Sequence, residues 1–198
     1  VSDVTAPRPW RCFVAVPLPG SLRDELRTWV AATRAAQDLE ADWRWTEPDG
    51  WHLTLAFLGA TPAEAVSAIL ERLARGLAGR AGFSVPAGGL GAFPSRNRAR
   101  VLWYGIQDRD GRLAELATMV RAATGTDDEA RFRPHVTLAR ARDRHGTMVP
   151  ALPIETLPVG EVPVSGVWLM RSHLGSGPAR YESLGEVALP AVAIGAPA

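Results

Sequence analysis

With 198 residues the chain suits one compact domain of one or two lobes, and a 46% hydrophobic content is ample for a core. A formal net charge of +1 excludes a broad nucleic-acid-coating surface but leaves room for a local basic cleft. A single cysteine, Cys12, excludes an intramolecular disulfide and a cysteine-built zinc cluster, and no apolar run approaches the roughly 18 residues of a membrane span. The chain therefore reads as soluble, intracellular and cytoplasmic, with no membrane partner. All 22 basic residues are arginine, which suits phosphate but also fits the composition bias of a chain heavy in alanine and glycine.

Residues 1–10 read as a flexible leader. Arg11–Val16, an apolar run bounded by Pro17 and Pro19, predicts a strand with Cys12 buried. Ser21 with Asp24 three residues on forms a capping box for a helix whose buried stripe is Leu22, Leu26, Trp29 and Val30. Trp43–Thr46 predicts a short strand, and Pro48-Asp49-Gly50 is turn chemistry. The chain then enters Trp51–Gly59, a strand of alternating character. His52 and Thr54 share one face; Leu53, Leu55 and Phe57 share the other, which assigns Phe57 to the core. Thr61-Pro62-Ala63-Glu64 starts a second helix, with Val66, Ile69, Leu70, Leu73 and Leu77 facing inward. Phe83–Phe93 predicts a strand followed by an irregular glycine-rich segment. Gly88-Gly89-Leu90-Gly91 lacks the Gly-Lys-Ser/Thr ending of a phosphate loop and opens no helix, so it marks a bulge or turn. Pro94–Arg98 reads as an exposed turn and a candidate basic lip. Arg100–Ile106 is a strand, and Leu113, Leu116, Ala117 and Val120 mark a third helix. Asp127-Asp128-Glu129 reads as a solvated loop. Beyond Arg142 the prolines at 150, 153 and 158 break any helix. Val159–Arg171 then reads as one or two strands and Ala179–Leu189 as the last, before a flexible tail over 190–198.

Alone, a His-x-Thr strand is common and usually structural. Here it has an echo, because Pro134-His135-Val136-Thr137-Leu138-Ala139-Arg140 repeats the pattern with the same parity. The order strand, helix, strand, His-x-Thr strand starts again at Arg100, which indicates an internal duplication. Two such halves can pack about a pseudo-twofold axis with their motifs facing one groove. The predicted class is α+β: a bilobal duplicated fold, two antiparallel sheets facing a central cleft with helices outside, as one two-lobed domain over 11–189. Two imidazoles across one anion supply an acid and a base, which attack on phosphorus requires. Near an unperturbed pKa of about 6.5 the two can hold opposite protonation states at neutral pH. The hydroxyls of Thr54 and Thr137 can donate to non-bridging phosphate oxygens. A zinc site lacks its third ligand, with His145 and His173 in loop-like sequence, and a serine-hydrolase elbow is absent.

On His52-Leu53-Thr54-Leu55, His135-Val136-Thr137-Leu138, Gly91-Ala92-Phe93-Pro94, Phe132–Arg140 and Arg180-Tyr181-Glu182, the chain resembles the two-histidine phosphoesterases, and among them the LigT-like RNA 2′,3′-cyclic phosphodiesterases. The resemblance spans Arg11 to Leu189. It implies metal-independent and cofactor-free hydrolysis of a 2′,3′-cyclic phosphate at an RNA or oligonucleotide end, tRNA halves included, to a 2′-phosphate by a monomer. It also implies that His52 is the proton donor and His135 the acceptor, an order the two similar halves do not fix by themselves. Alternatives are a same-fold enzyme acting on a small cyclic nucleotide, a reversible 2′,5′ RNA ligase, and a non-catalytic RNA-end-binding module. Three further residues are candidates for substrate contact. Arg133 either touches phosphate or is solvated at the strand start. Arg140 has the parity of buried Leu138, so either the strand has ended or the arginine is paired inside. Tyr181 either lines the cleft or packs as a core residue. The proline-broken stretch after Arg142 departs from relatives with a clearer helix there, which leaves the cleft rim on that side open.

Overall fold

Proline and glycine mark many of the element ends. A computed structural model describes residues 8–126, 131–173, 175 and 179–190. The expectations for the first seven residues, for Asp127-Asp128-Glu129 and for 191–198 lie outside them. The strands are β1 (Trp10–Pro17), β2 (Trp43–Trp45), β3 (His52–Thr61), β4 (Phe83–Phe93), β5 (Val101–Ile106), β6 (His135–Ala141), β7 (Gly160–Val164), β8 (Gly166–His173) and β9 (Arg180–Ala188). The α-helices are α1 (Gly20–Ala36), α2 (Val66–Gly76) and α3 (Arg112–Thr124). The Ser21–Asp24 capping box does not form. Extended Pro19 takes the cap position, and the Arg23 N–H donates to its carbonyl at 2.9 Å, so Ser21 already lies within the first turn. Thr61 likewise caps nothing: it ends β3, and a 3₁₀ turn over Ala63–Ala65 precedes α2. The bulge expected in the glycine-rich segment is present within one continuous β4, with Gly89 at φ +84° and a ladder shift between Ala87 and Leu90.

Every pairing is antiparallel, in the order β7-β4-β5-β6-β3-β1-β8-β9, with β2 also on β6. Reversing that order exchanges β3 with β6 and β1 with β5, which is the duplication seen in the sequence. The two antiparallel lobes join edge to edge at one residue pair, Leu53 opposite Val136. The helices interlock the lobes. α3 follows β5 of the second lobe but packs on β3, beside α2. α1 follows β1 of the first lobe but lays Leu22 against Gly160 of β7, and its Trp29 indole donates to the Pro153 carbonyl at 3.1 Å. A single buried cluster, from Leu26 and Trp43 to Tyr104 and Leu169, runs through both lobes. Cys12 is buried and unbridged. Among the described residues no helix is long and apolar enough to cross a membrane.

Candidate active site

The antiparallel pairing at Leu53 and Val136 sets His52 against Thr137 and Thr54 against His135. All four are half-buried, beside buried Leu53 and Val136, and line one cavity of about 990 Å³. Each imidazole is fixed from its own strand start. His52 Nδ1 donates to the Gly50 carbonyl at 2.6 Å and His135 Nδ1 to the Arg133 carbonyl at 2.7 Å. A carbonyl only accepts, so Nδ1 carries the hydrogen and Nε2 keeps its lone pair. Burial lowers the His52 pKa from 6.5 to about 4, against the Gly50 hydrogen bond, with a smaller push from His135. Burial also lowers that of His135, opposed by the Arg133 carbonyl and assisted by the Arg140 charge. The opposite protonation states expected of unperturbed imidazoles therefore do not hold in the free protein, where both rings are neutral at pH 7.

Just past each threonine the ladder slips by one residue: β3 bulges opposite Val14 and Ala15 of β1, and β6 bulges opposite Leu102 and Trp103 of β5. Leu55 and Leu138 are the extra residues. Leu55 and Ala56 are both buried, as are Leu138 and Ala139, and the alternation reverses beyond them. Phe57 is consequently 61% exposed and lines the cavity, contrary to its assignment to the core. Arg140 resolves in the same way: the strand continues, and the residue is exposed and lines the cavity. Thr46 pins the second bulge. Its N–H donates to the Leu138 carbonyl at 2.9 Å, its hydroxyl faces the Thr137 and Leu138 carbonyls, and it accepts from the Trp51 indole at 2.8 Å. Sequence reasoning missed Thr46, whose role exists only once β2 has paired with β6.

Aromatic rings flank both histidines. Phe13 stacks on His52 at 4.6 Å, Tyr181 meets His52 edge-on at 5.0 Å, and Phe93 meets His135 edge-on at 5.0 Å. Tyr181 lines the cavity and packs so tightly over Gly50 that a Cβ there would lie 2.6 Å from its ring. Arg133 is exposed at the rim with its guanidinium 5.7 Å from the Phe93 ring. Among the described residues Arg11, Arg44, Arg121, Arg131, Arg133 and Arg140 line the cavity with one carboxylate, Glu47. This is the local basic cleft that the net charge left open. Among the described residues no three of His, Cys, Asp and Glu come together as a metal site.

The family profile described as LigT like Phosphoesterase matches residues 16–103. A protein of Aeropyrum pernix named RNA 2′,3′-cyclic phosphodiesterase is 33% identical over 71% of this chain and 83% of its own. One of Escherichia coli with the same name is 34% identical over 72% and 78%. The similarity to a longer Geobacillus stearothermophilus protein of that name, at 28%, spans 87% of this chain and 55% of the relative. Among solved structures, E. coli LigT complexed with 3′-AMP superposes with a TM-score of 0.72 at 30% identity, over 91% of this chain and 98% of that one. A protein of Thermus thermophilus superposes at 0.70 and 29%, over 92% and 99%. Sequence and fold agree across both lobes, and the chain belongs to the LigT-like phosphoesterase family.

Proposed function

We propose that the protein hydrolyses the 2′,3′-cyclic phosphate end of RNA to a 2′-phosphomonoester, using His52 and His135 as acid and base. What carries this reading is the pair of Nδ1-anchored imidazoles lining one arginine-rich cavity. The shared name of the relatives and the 3′-AMP complex of E. coli LigT support the substrate class. A bound cyclic phosphate anion favours the imidazolium, and the complex takes up one proton. His135 Nε2 removes a proton from water as its oxygen bonds to phosphorus. The P–O3′ bond breaks, and His52 Nε2–H protonates O3′. Thr54 and Thr137 donate to the non-bridging oxygens as charge builds there. Solvent exchange then returns the proton from His135 and reloads His52.

The test is an oligonucleotide with a 2′,3′-cyclic end, incubated with EDTA, and identification of the product isomer. Hydrolysis should persist and give the 2′-phosphate. Activity lost in EDTA and restored by one divalent ion overturns the two-histidine mechanism. His52→Ala and His135→Ala should each lower turnover by at least about 10²–10⁴. On an aryl phosphodiester, whose leaving group needs no proton, His52→Ala should regain activity and His135→Ala should not; the reverse pattern exchanges the roles.

A further inference from the structure

The cleft is symmetric at its centre and unlike at its two ends. The relation that exchanges His52 with His135 also exchanges Phe57 with Arg140, each two residues past its bulge. One end therefore carries an exposed ring and the other a guanidinium. Arg44 of β2 stands directly opposite Arg140, so both side chains leave the same face of the sheet, and both line the cavity. Like charges directly opposite on neighbouring strands repel. Other arginines have carboxylates: Arg34 has Glu40, Arg27 has Asp24 and Asp49, Arg80 has Glu115. Among the described residues Arg44 and Arg140 have neither an ion pair nor a side-chain hydrogen bond. Two guanidinium forks on facing residues, neither held in an ion pair among the described residues, match a phosphate over the cavity both line.

We propose that Arg44 and Arg140 form a second phosphate subsite, which holds the phosphate 5′ to the cyclic end and selects the terminus of a chain over a free cyclic nucleoside phosphate. This rests on the phosphodiesterase reading for its orientation. In a ribose 2′,3′-cyclic phosphate the base leaves C1′, beside the O2′ edge, and the 5′ carbon leaves C4′, beside the O3′ edge. With the cyclic phosphate on the two motifs and the base on Phe57, the 5′ side points to the opposite end. Arg140 lies three residues beyond Thr137, roughly 10 Å at strand spacing, and a long side chain closes part of that distance. O3′ then lies on the His52 side of phosphorus, because His52 is set against Thr137, the motif residue nearest Arg140. That is the position the leaving-oxygen acid requires.

Adenosine 2′,3′-cyclic phosphate, with and without a 5′-phosphate, isolates the subsite. In the wild-type protein the 5′-phosphate should lower KM about tenfold or more, the usual yield of charge-assisted hydrogen bonds. Arg44→Gln should erase most of that gain, and Arg44→Lys should keep part of it. Calorimetric binding of adenosine 3′,5′-bisphosphate against 3′-AMP gives a readout that needs no turnover. Added salt should screen the 5′-phosphate's share of that binding in the wild type and have less of it to screen in Arg44→Gln. Should Arg44→Gln fail to melt cooperatively, Arg140→Gln carries the same comparison. Equal losses on both nucleotides, or an undiminished 5′-phosphate gain in the variants, overturn the subsite. If the wild type cleaves neither nucleotide yet its binding still depends on the 5′-phosphate and Arg44, the phosphodiesterase reading falls and the subsite stands.

Discussion

The imidazole of His52 is useful because it is not protonated until a ligand makes it so. Burial takes its pKa to about 4, and that of His135 is also lowered. The reaction proposed here needs one proton on the pair. In the free protein that proton binds only in the acidic range, so kcat/KM should decline as pH rises, with its limb below the 6.5 of an ordinary histidine. A bound phosphate anion raises the same pKa values, so the limb in kcat should sit at higher pH. Paired pH profiles check this, and coincident limbs near 6.5 would sink it. Stability carries the matching signature. Both histidines have depressed folded pKa values, so below pH 6.5 the unfolded chain binds protons first. The histidines' contribution to stability should therefore fall as pH drops below 6.5, by at most about 1.4 kcal/mol per pH unit for each, and for His52 that fall runs down to about pH 4. His52→Gln should flatten that slope in denaturant titrations.

Within β3 and β6 the first half of each motif was legible from the sequence and the second half was not. Alternation placed His52, Thr54, His135 and Thr137 on one face, and the structure keeps them there. The same alternation sent Phe57 to the core and left Arg140 open between two readings, because it counts residues and a bulge adds one. Nothing in Leu55 or Leu138 announces the extra residue; the partner strands β1 and β5 and the hydrogen bonds of Thr46 impose it. The capping box failed for a related reason, since Pro19 opened α1 before Ser21 could cap it. Phe57→Ala measures whether the bulge sets the ring's role. A core phenylalanine removed in this way costs about 3–5 kcal/mol. A ring 61% exposed in a cleft should cost far less stability and instead weaken nucleotide binding, by about 1–3 kcal/mol if it stacks on a base. A melting midpoint that collapses while KM holds would return Phe57 to the core.

At the scale of the whole chain, the duplication was legible but its closure was not. Six cavity arginines come from β1, β2, α3, the approach to β6 and β6 itself, so a net charge of +1 carries no trace of their convergence. The interlocking of the lobes is equally invisible in a linear pattern that lists each helix beside its own strands. α1 buries Leu22 and Trp29 against the second lobe, α3 packs on β3 of the first, and one core passes through both. Neither lobe can lose its strands without uncovering a helix face of the other, while the sheet itself joins them at a single residue pair. Unfolding should therefore be one cooperative event, with tryptophan fluorescence and far-ultraviolet circular dichroism tracing the same denaturant transition. The junction is also where His52 meets Thr137, so phosphate binding should raise the midpoint of that single transition without splitting it. Two separated transitions, or ligand protection confined to one of them, would mean that the lobes fold independently and that the helix exchange adds little to their union.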